Sequence, residues 1–159
     1  MILRTRESGF TFIELMVTLA IMAVLVMVAT PMARLSIQRD RERELRVALT
    51  EIRDALDAYK RASDQGRIQM RIGESGFPGS LTQLVEGVED QRSPNRRKLY
   101  FLRRLPRDPM ADPSMAPEET WGLRSYASPP DDPSEGEDVF DVYSKSEKIG
   151  LNGVPYREW

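Results

Sequence analysis

Glu14 is the one charged residue between Phe10 and Ala33, and from Leu15 to Ala33 the chain runs 19 residues without a charge. A carboxylate four residues into an apolar span costs on the order of 2.5–3.5 kcal/mol if it sits at mid-membrane depth. Two readings follow. In one, Glu14 lies at headgroup level and costs little. In the other, it waits for a cation that arrives when the chain meets its partner. Immediately upstream stands Gly9-Phe10. For chemistry done by the chain the inventory is thin. Its 159 residues include no Cys and no His, which removes thiol nucleophiles, imidazole bases and Cys/His zinc sites. The carboxylates, Lys and Tyr that remain show no pair at a persuasive motif spacing. A membrane-anchored enzyme is therefore the weakest reading, and no catalysis is expected.

The element that must carry Glu14 is a helix. An apolar run near 20 residues is what a membrane span needs. A buried core helix is usually shorter, and a chain this small could hardly cover one on every side. A secretory signal has a hydrophobic region of roughly 7–15 residues followed by small residues at a cleavage site. Here the run is longer and leads into Pro31 and Arg34, so it reads as retained. Gln38–Arg46 then alternates charge densely, which suits a solvated helix. Leu45, Leu49, Ile52, Leu56 and Tyr59 recur at spacings of four and three, one apolar stripe. Ala48, Ala55 and Ala62 beside it allow a close neighbour. One helix is expected from about Phe10 to about Ala62, roughly 80 Å at 1.5 Å per residue. Pro31 lacks an N–H and should kink it or loosen one turn.

Beyond Ser63 the texture changes. The charged fraction of the whole chain is 30 % and the hydrophobic fraction 40 %, enough for one soluble domain with a modest core. Gly66, Gly73, Gly76, Pro78 and Gly79 mark a loop. Ser80-Leu81-Thr82-Gln83 reads as a capping box opening a short helix, Leu81 to about Val88. Glu89–Lys98 is polar and basic, and Leu99–Leu105 is either a short helix or an extended piece. Four prolines in 106–119 argue against regular structure there. Trp121–Ser128 and Val139–Ser144 alternate as strands do, with the acidic stretch Pro129–Asp138 between them, so a hairpin over Thr120–Ser146 is expected. In the tail, residues 147–159, Tyr156 and Trp159 need somewhere to pack. The net charge of -2 points away from nucleic acid, and no run of basic residues interleaved with aromatics is expected.

Gly9-Phe10-Thr11-Phe12-Ile13-Glu14 resembles the processing site of type IV pilins and of the pseudopilins of type II secretion systems. Counted from Phe10, Glu14 is fifth and Pro31 twenty-second, as in that family, and the leader is short and basic, with Arg4 and Arg6. The resemblance implies cleavage after Gly9 by a prepilin peptidase, N-methylation of Phe10, and a role in assembly for Glu14, whose partner would be the new amine of a neighbouring subunit. It implies an α+β fold, a long N-terminal helix packed on a small C-terminal antiparallel sheet. Three segments follow: a leader over 1–9, a transmembrane and assembly helix over 10–33, and a periplasmic domain over 34–159. The expected partners are further copies in a helical filament, other pseudopilins, the inner-membrane assembly platform and the peptidase. Phe77-Pro78, Leu81, Leu84, Arg104-Leu105-Pro106-Arg107-Asp108-Pro109 and a terminal strand resemble the major pseudopilin in particular. A type IV pilus subunit is the alternative, although such chains often carry a C-terminal disulfide and this one has no Cys.

Two features depart from that pattern. The major pseudopilin usually binds calcium in its C-terminal loop through several acidic side chains. The corresponding Ser144–Gly153 has one, Glu147, between Lys145 and Lys148. Calcium wants 6–8 oxygen ligands, several of them charged, so no cofactor is expected here. The five carboxylates of Asp131–Asp138 read as a solvated loop ahead of a weak calcium site. Tyr156 and Trp159 would then pin the tail by packing. The second departure concerns topology. Five arginines in 34–46 outnumber the two in the leader, which on charge alone favours the C-terminal domain inside. The family orientation is the opposite, and the more specific motif decides for it.

Overall fold

The computed structural model describes residues 9–159; the leader, apart from Gly9, lies outside the described residues. The chain divides into two compact units between Arg39 and Asp40. One helix, α1 (Phe12–Asp64), contributes to both.

In the first unit, α1 is apolar on every face, and its large side chains, Leu15, Met16, Leu19, Met22 and Leu25 among them, are exposed. The helix is long and apolar enough to cross a membrane. Its two threonines would be a liability in lipid. Both hydroxyls donate back to carbonyls of the preceding turn, Thr18 to Leu15 at 2.9 Å and Thr30 to Val26 at 2.8 Å, so neither needs water. The helical backbone continues through position 31. Proline has no N–H, so the Met27 carbonyl lacks its helical donor there.

In the second unit the same helix buries one stripe. Leu45, Leu49, Ile52, Leu56 and Tyr59 are all buried, with Ala48, Ala55 and Ala62 alongside, as the four–three spacing predicts. Leu81, Leu84, Leu102, Trp121, Val139, Val142 and Tyr156 complete the core. Each large side chain fully withdrawn from water contributes about 1.5–3 kcal/mol. The layout is α+β. The antiparallel part is two separate two-stranded sheets: β1 (Val88–Glu89) with β2 (Lys98–Leu99), and β3 (Trp121–Arg124) with β4 (Asp141–Ser144). In the second pair Trp121 faces Ser144 and Leu123 faces Val142, so the hairpin forms with shorter strands than the alternation suggested.

Two local expectations need correction, and one left open is decided. Residues 82–86 form the short helix α2, but no capping box opens it. The Ser80 hydroxyl shares a 2.7 Å bond with Thr82, and Gln83 accepts instead from the Gly79 N–H at 3.1 Å. The helix stops at Glu86 because Gly87 turns to φ 75°, where a Cβ would meet the Leu99 carbonyl at 2.9 Å. Leu99–Leu105 is not helical; Leu99 ends β2, and Phe101 and Leu102 hang their N–H groups on the Leu84 carbonyl. The proline-rich stretch does hold regular structure, a 3₁₀ turn over Pro117–Thr120. Pro117 stands at its start, where a missing N–H costs nothing.

Candidate functional site: the first turn of the N-terminal helix

Gly9, Phe10 and Thr11 precede α1, and all three are exposed. Thr11 caps the helix. Its hydroxyl accepts from the Glu14 N–H at 3.3 Å, and its carbonyl accepts the first helical bond, from Leu15, at 3.2 Å. The sequence signal was available: Thr11-x-x-Glu14 has the residue types of a capping box. An N-cap of this kind contributes about 0.5–2 kcal/mol of local helix stability. Glu14 is thereby held in the first turn, where the helix dipole favours an anion. Among the described residues no cation pairs with its carboxylate.

The arrangement differs in one respect from what spacing implied. Phe10 lies outside the helix in the uncleaved chain, so Phe10 and Glu14 do not yet share a helix face. What the geometry presents is an exposed, non-helical Gly9-Phe10 bond joined to a capped helix. Cleavage there would leave a cationic amine two residues before the helix, one turn from an anion.

Against this geometry, residues 4–30 match the family described as the Prokaryotic N-terminal methylation motif. The chain carries a prepilin-type methylation signal. Gly9, Phe10 and Glu14 all fall inside the matched segment, which is the signature of type IV pilin and pseudopilin precursors. Comparison with curated proteins and with solved structures found no match. The methylation motif thus speaks for the first unit, and the second must be read from its own contacts.

Those contacts fasten the tail to α1. Glu42 falls in the charged stretch expected to be solvated, yet it is 6 % exposed. Its Oε1 accepts from the Leu151 N–H at 2.8 Å and from the Tyr156 hydroxyl at 2.9 Å. Tyr156, 2 % exposed, meets Trp159 edge-on at 5.1 Å, and the Arg46 guanidinium lies 4.5 Å from the Trp159 ring centre. Arg53 donates to Asp141 at 2.8 Å, to the Val142 carbonyl at 3.2 Å and to the main-chain oxygen of Trp159 at 2.9 Å. Packing by Tyr156 and Trp159 is as the sequence suggested; the carboxylate and the arginine were missed.

Asp108, from the stretch that resembles the major pseudopilin, is also structural. At 1 % exposure it accepts from the Ser144 hydroxyl at 2.6 Å and from the Met110 N–H at 2.7 Å, binding the loop to β4. Arg67 donates twice to one oxygen of Asp90, at 2.6 and 3.1 Å. That hydrogen bonding outweighs burial and holds the Asp90 carboxyl below the usual carboxylate range. In Ser144–Gly153, Glu147 is exposed, and the Ser144 hydroxyl donates to Asp108. Among the described residues no three carboxylates are grouped closely enough to hold a metal ion. In the acidic loop, Asp138 is taken up internally, by the Ser125 hydroxyl and the Tyr126 N–H. Burial raises its carboxyl, but hydrogen bonds from Ser75, Tyr126 and Ser125 prevail and lower it.

Proposed function

We propose that this chain is the precursor of a structural subunit of a type II secretion pseudopilus, without catalytic activity of its own. The observation that carries the proposal is the methylation motif, with Glu14 fifth and Pro31 twenty-second from Phe10. A prepilin peptidase removes 1–9 by cutting between Gly9 and Phe10 and methylates the new amine of Phe10. Residues 10–33 then anchor the subunit in the bacterial inner membrane and pack into the filament, with 34–159 in the periplasm. The amine of one copy and Glu14 of another form an ion pair at assembly. An unpaired charge in a low-dielectric setting is costly and a paired one much less so, so the pair sets the register of stacking. Pro31, which leaves one carbonyl without a donor, gives the helix a place to bend as copies pack. The absence of Cys favours this reading over a type IV pilus subunit. The donor set of the tail supports a domain that holds no resident metal.

Intact-mass analysis of the membrane-derived protein tests the first step. The expected product begins at Phe10 and carries one added methyl group. Gly9→Val should abolish processing altogether, and a mature N-terminus in that variant overturns the cleavage assignment. Labelling of a Cys introduced in 130–137 from the periplasmic side tests the orientation, which the arginines of 34–46 oppose.

A further inference from the structure

The near-neutral net charge conceals a segregation. From Gln91 to Arg107 there are seven Lys or Arg and no acid; from Pro129 to Asp138 there are five acids and no Lys or Arg. The first segment encloses Tyr100 and Phe101, so, contrary to expectation, a basic run interleaved with aromatics is present. Four of its arginines, Arg92, Arg97, Arg103 and Arg104, are exposed; Arg92 acts on the nearby Asp90 carboxylate, and among the described residues the side chains of the other three have no partner. The same is true of Asp131, Asp132, Glu135 and Glu137 in the acidic loop. Opposite charges on one compact unit therefore leave each other unsatisfied.

The acidic loop also borders an open cleft of about 1160 Å³, whose other wall is residues 69–79. Four carboxylates line it, Glu74, Glu135, Glu137 and Asp138, against one cation among the lining residues, Arg71. Two of its lining residues are the aromatics Phe77 and Tyr126, which pack with Phe140 behind them, ring centres 5.0 to 6.0 Å apart. Arg124 lies over Phe140 and Lys60 over Phe77, while Tyr126, 62 % exposed, has no cation among the described residues. An aromatic face flanked by carboxylates is the surface a guanidinium prefers, because its plane stacks while its N–H groups bond.

We propose that this cleft receives the arginine strip 92–104 of a second copy of the chain, giving the filament a head-to-tail contact between globular domains. The contact is heterologous: two different patches on each copy meet, so it propagates and does not close into a dimer. Charge fixes orientation and register, since like-charged faces repel when copies approach the wrong way. The proposal rests on the filament reading above.

Because the natural chain has no Cys, paired single-Cys copies test it in the membranes of producing cells. One full-length copy carries Glu135→Cys, the other Arg97→Cys, and filaments are sedimented and oxidised. Crosslinking is expected between the two different copies and not between like copies. Arg92→Glu with Arg103→Glu on one copy, or Asp131→Lys with Asp132→Lys on the other, should each lower the yield about tenfold. Both reversals together should restore most of it. Glu14-dependent filaments without this crosslink overturn the contact and leave the filament reading standing. Absence of sedimentable filaments from the unaltered chain overturns both. Crosslinks between like copies, indifference to charge reversal, or capture of Arg97→Cys by another protein or by nucleic acid each refute the contact.

Discussion

Glu14 and Glu42 stand on the same helix, one in an apolar run and one in a charged stretch, and they meet opposite fates. Glu42 is buried and finds its donors within the chain, in Leu151 and Tyr156. Glu14 is exposed, ties only its own N–H to the Thr11 hydroxyl, and has no cation among the described residues. The surroundings repeat the contrast. Around Glu42 one stripe of α1 is covered; around Glu14 every face is bare. A buried carboxylate with its donors in place is part of a finished fold. An exposed one on a bare helix has no donors of its own fold among the described residues, which is what the proposed assembly role requires. The lesson is that the same residue type on one helix is structural or functional according to where its partners are encoded.

Substitutions should separate the two halves. Glu14→Ala should leave insertion and processing intact and reduce sedimentable filaments to a small fraction; normal assembly by this variant would remove the role assigned to the carboxylate. Ile52→Ala, in the covered stripe, should cost about 2–5 kcal/mol of stability, read by thermal unfolding of the solubilised chain, while cleavage at Gly9-Phe10 stays normal. Tyr156→Phe removes a hydrogen bond to a charged acceptor and should cost about 1.5–3 kcal/mol. In the same measurement, chelation of calcium should leave the unaltered chain's Tm where it was, and a drop would show that the tail fastening depends on metal. The smallest effect belongs to Asp90. Its carboxyl is held below the usual range by Arg67, so its contribution is present above the ordinary carboxylate pKa of about 3.9. It is lost as pH falls through the lower folded value. Asp90→Asn should therefore flatten the Tm profile only below about pH 4.

What the sequence revealed follows the range of each signal. The stripe from Leu45 to Tyr59 was legible because helical spacing is local, and so was the β3–β4 hairpin. The methylation motif was legible because it lies in a short local pattern, and residues 4–30 match it; the roles given to Gly9, Phe10, Glu14 and Pro31 stay part of the proposal. The Thr11 cap was equally local and simply escaped notice. Glu42 was not legible: amid Arg41 and Arg43 it looks solvated, and the residues that bury it lie more than 100 positions later. Arg53 is hidden in the same way, its acceptors at 141, 142 and 159. Ser80 was misread because its hydroxyl had a nearer partner in Thr82. Pro117 was misread because a proline that breaks a helix interior is harmless at a helix start.

The tail fastening also has a bearing on when the fold is completed. The contacts from Glu42 to Tyr156 and from Arg53 to Trp159 close loops of 114 and 106 residues. Such long closures come late, after local elements have formed. During synthesis the apolar stripe of α1 emerges well before the Tyr156 that helps cover it, which follows Glu42 by 114 residues. For that interval α1 carries an uncovered apolar face, open to aggregation. Arrival of the segment around Tyr156 is thus the step that turns a sticky intermediate into a closed domain.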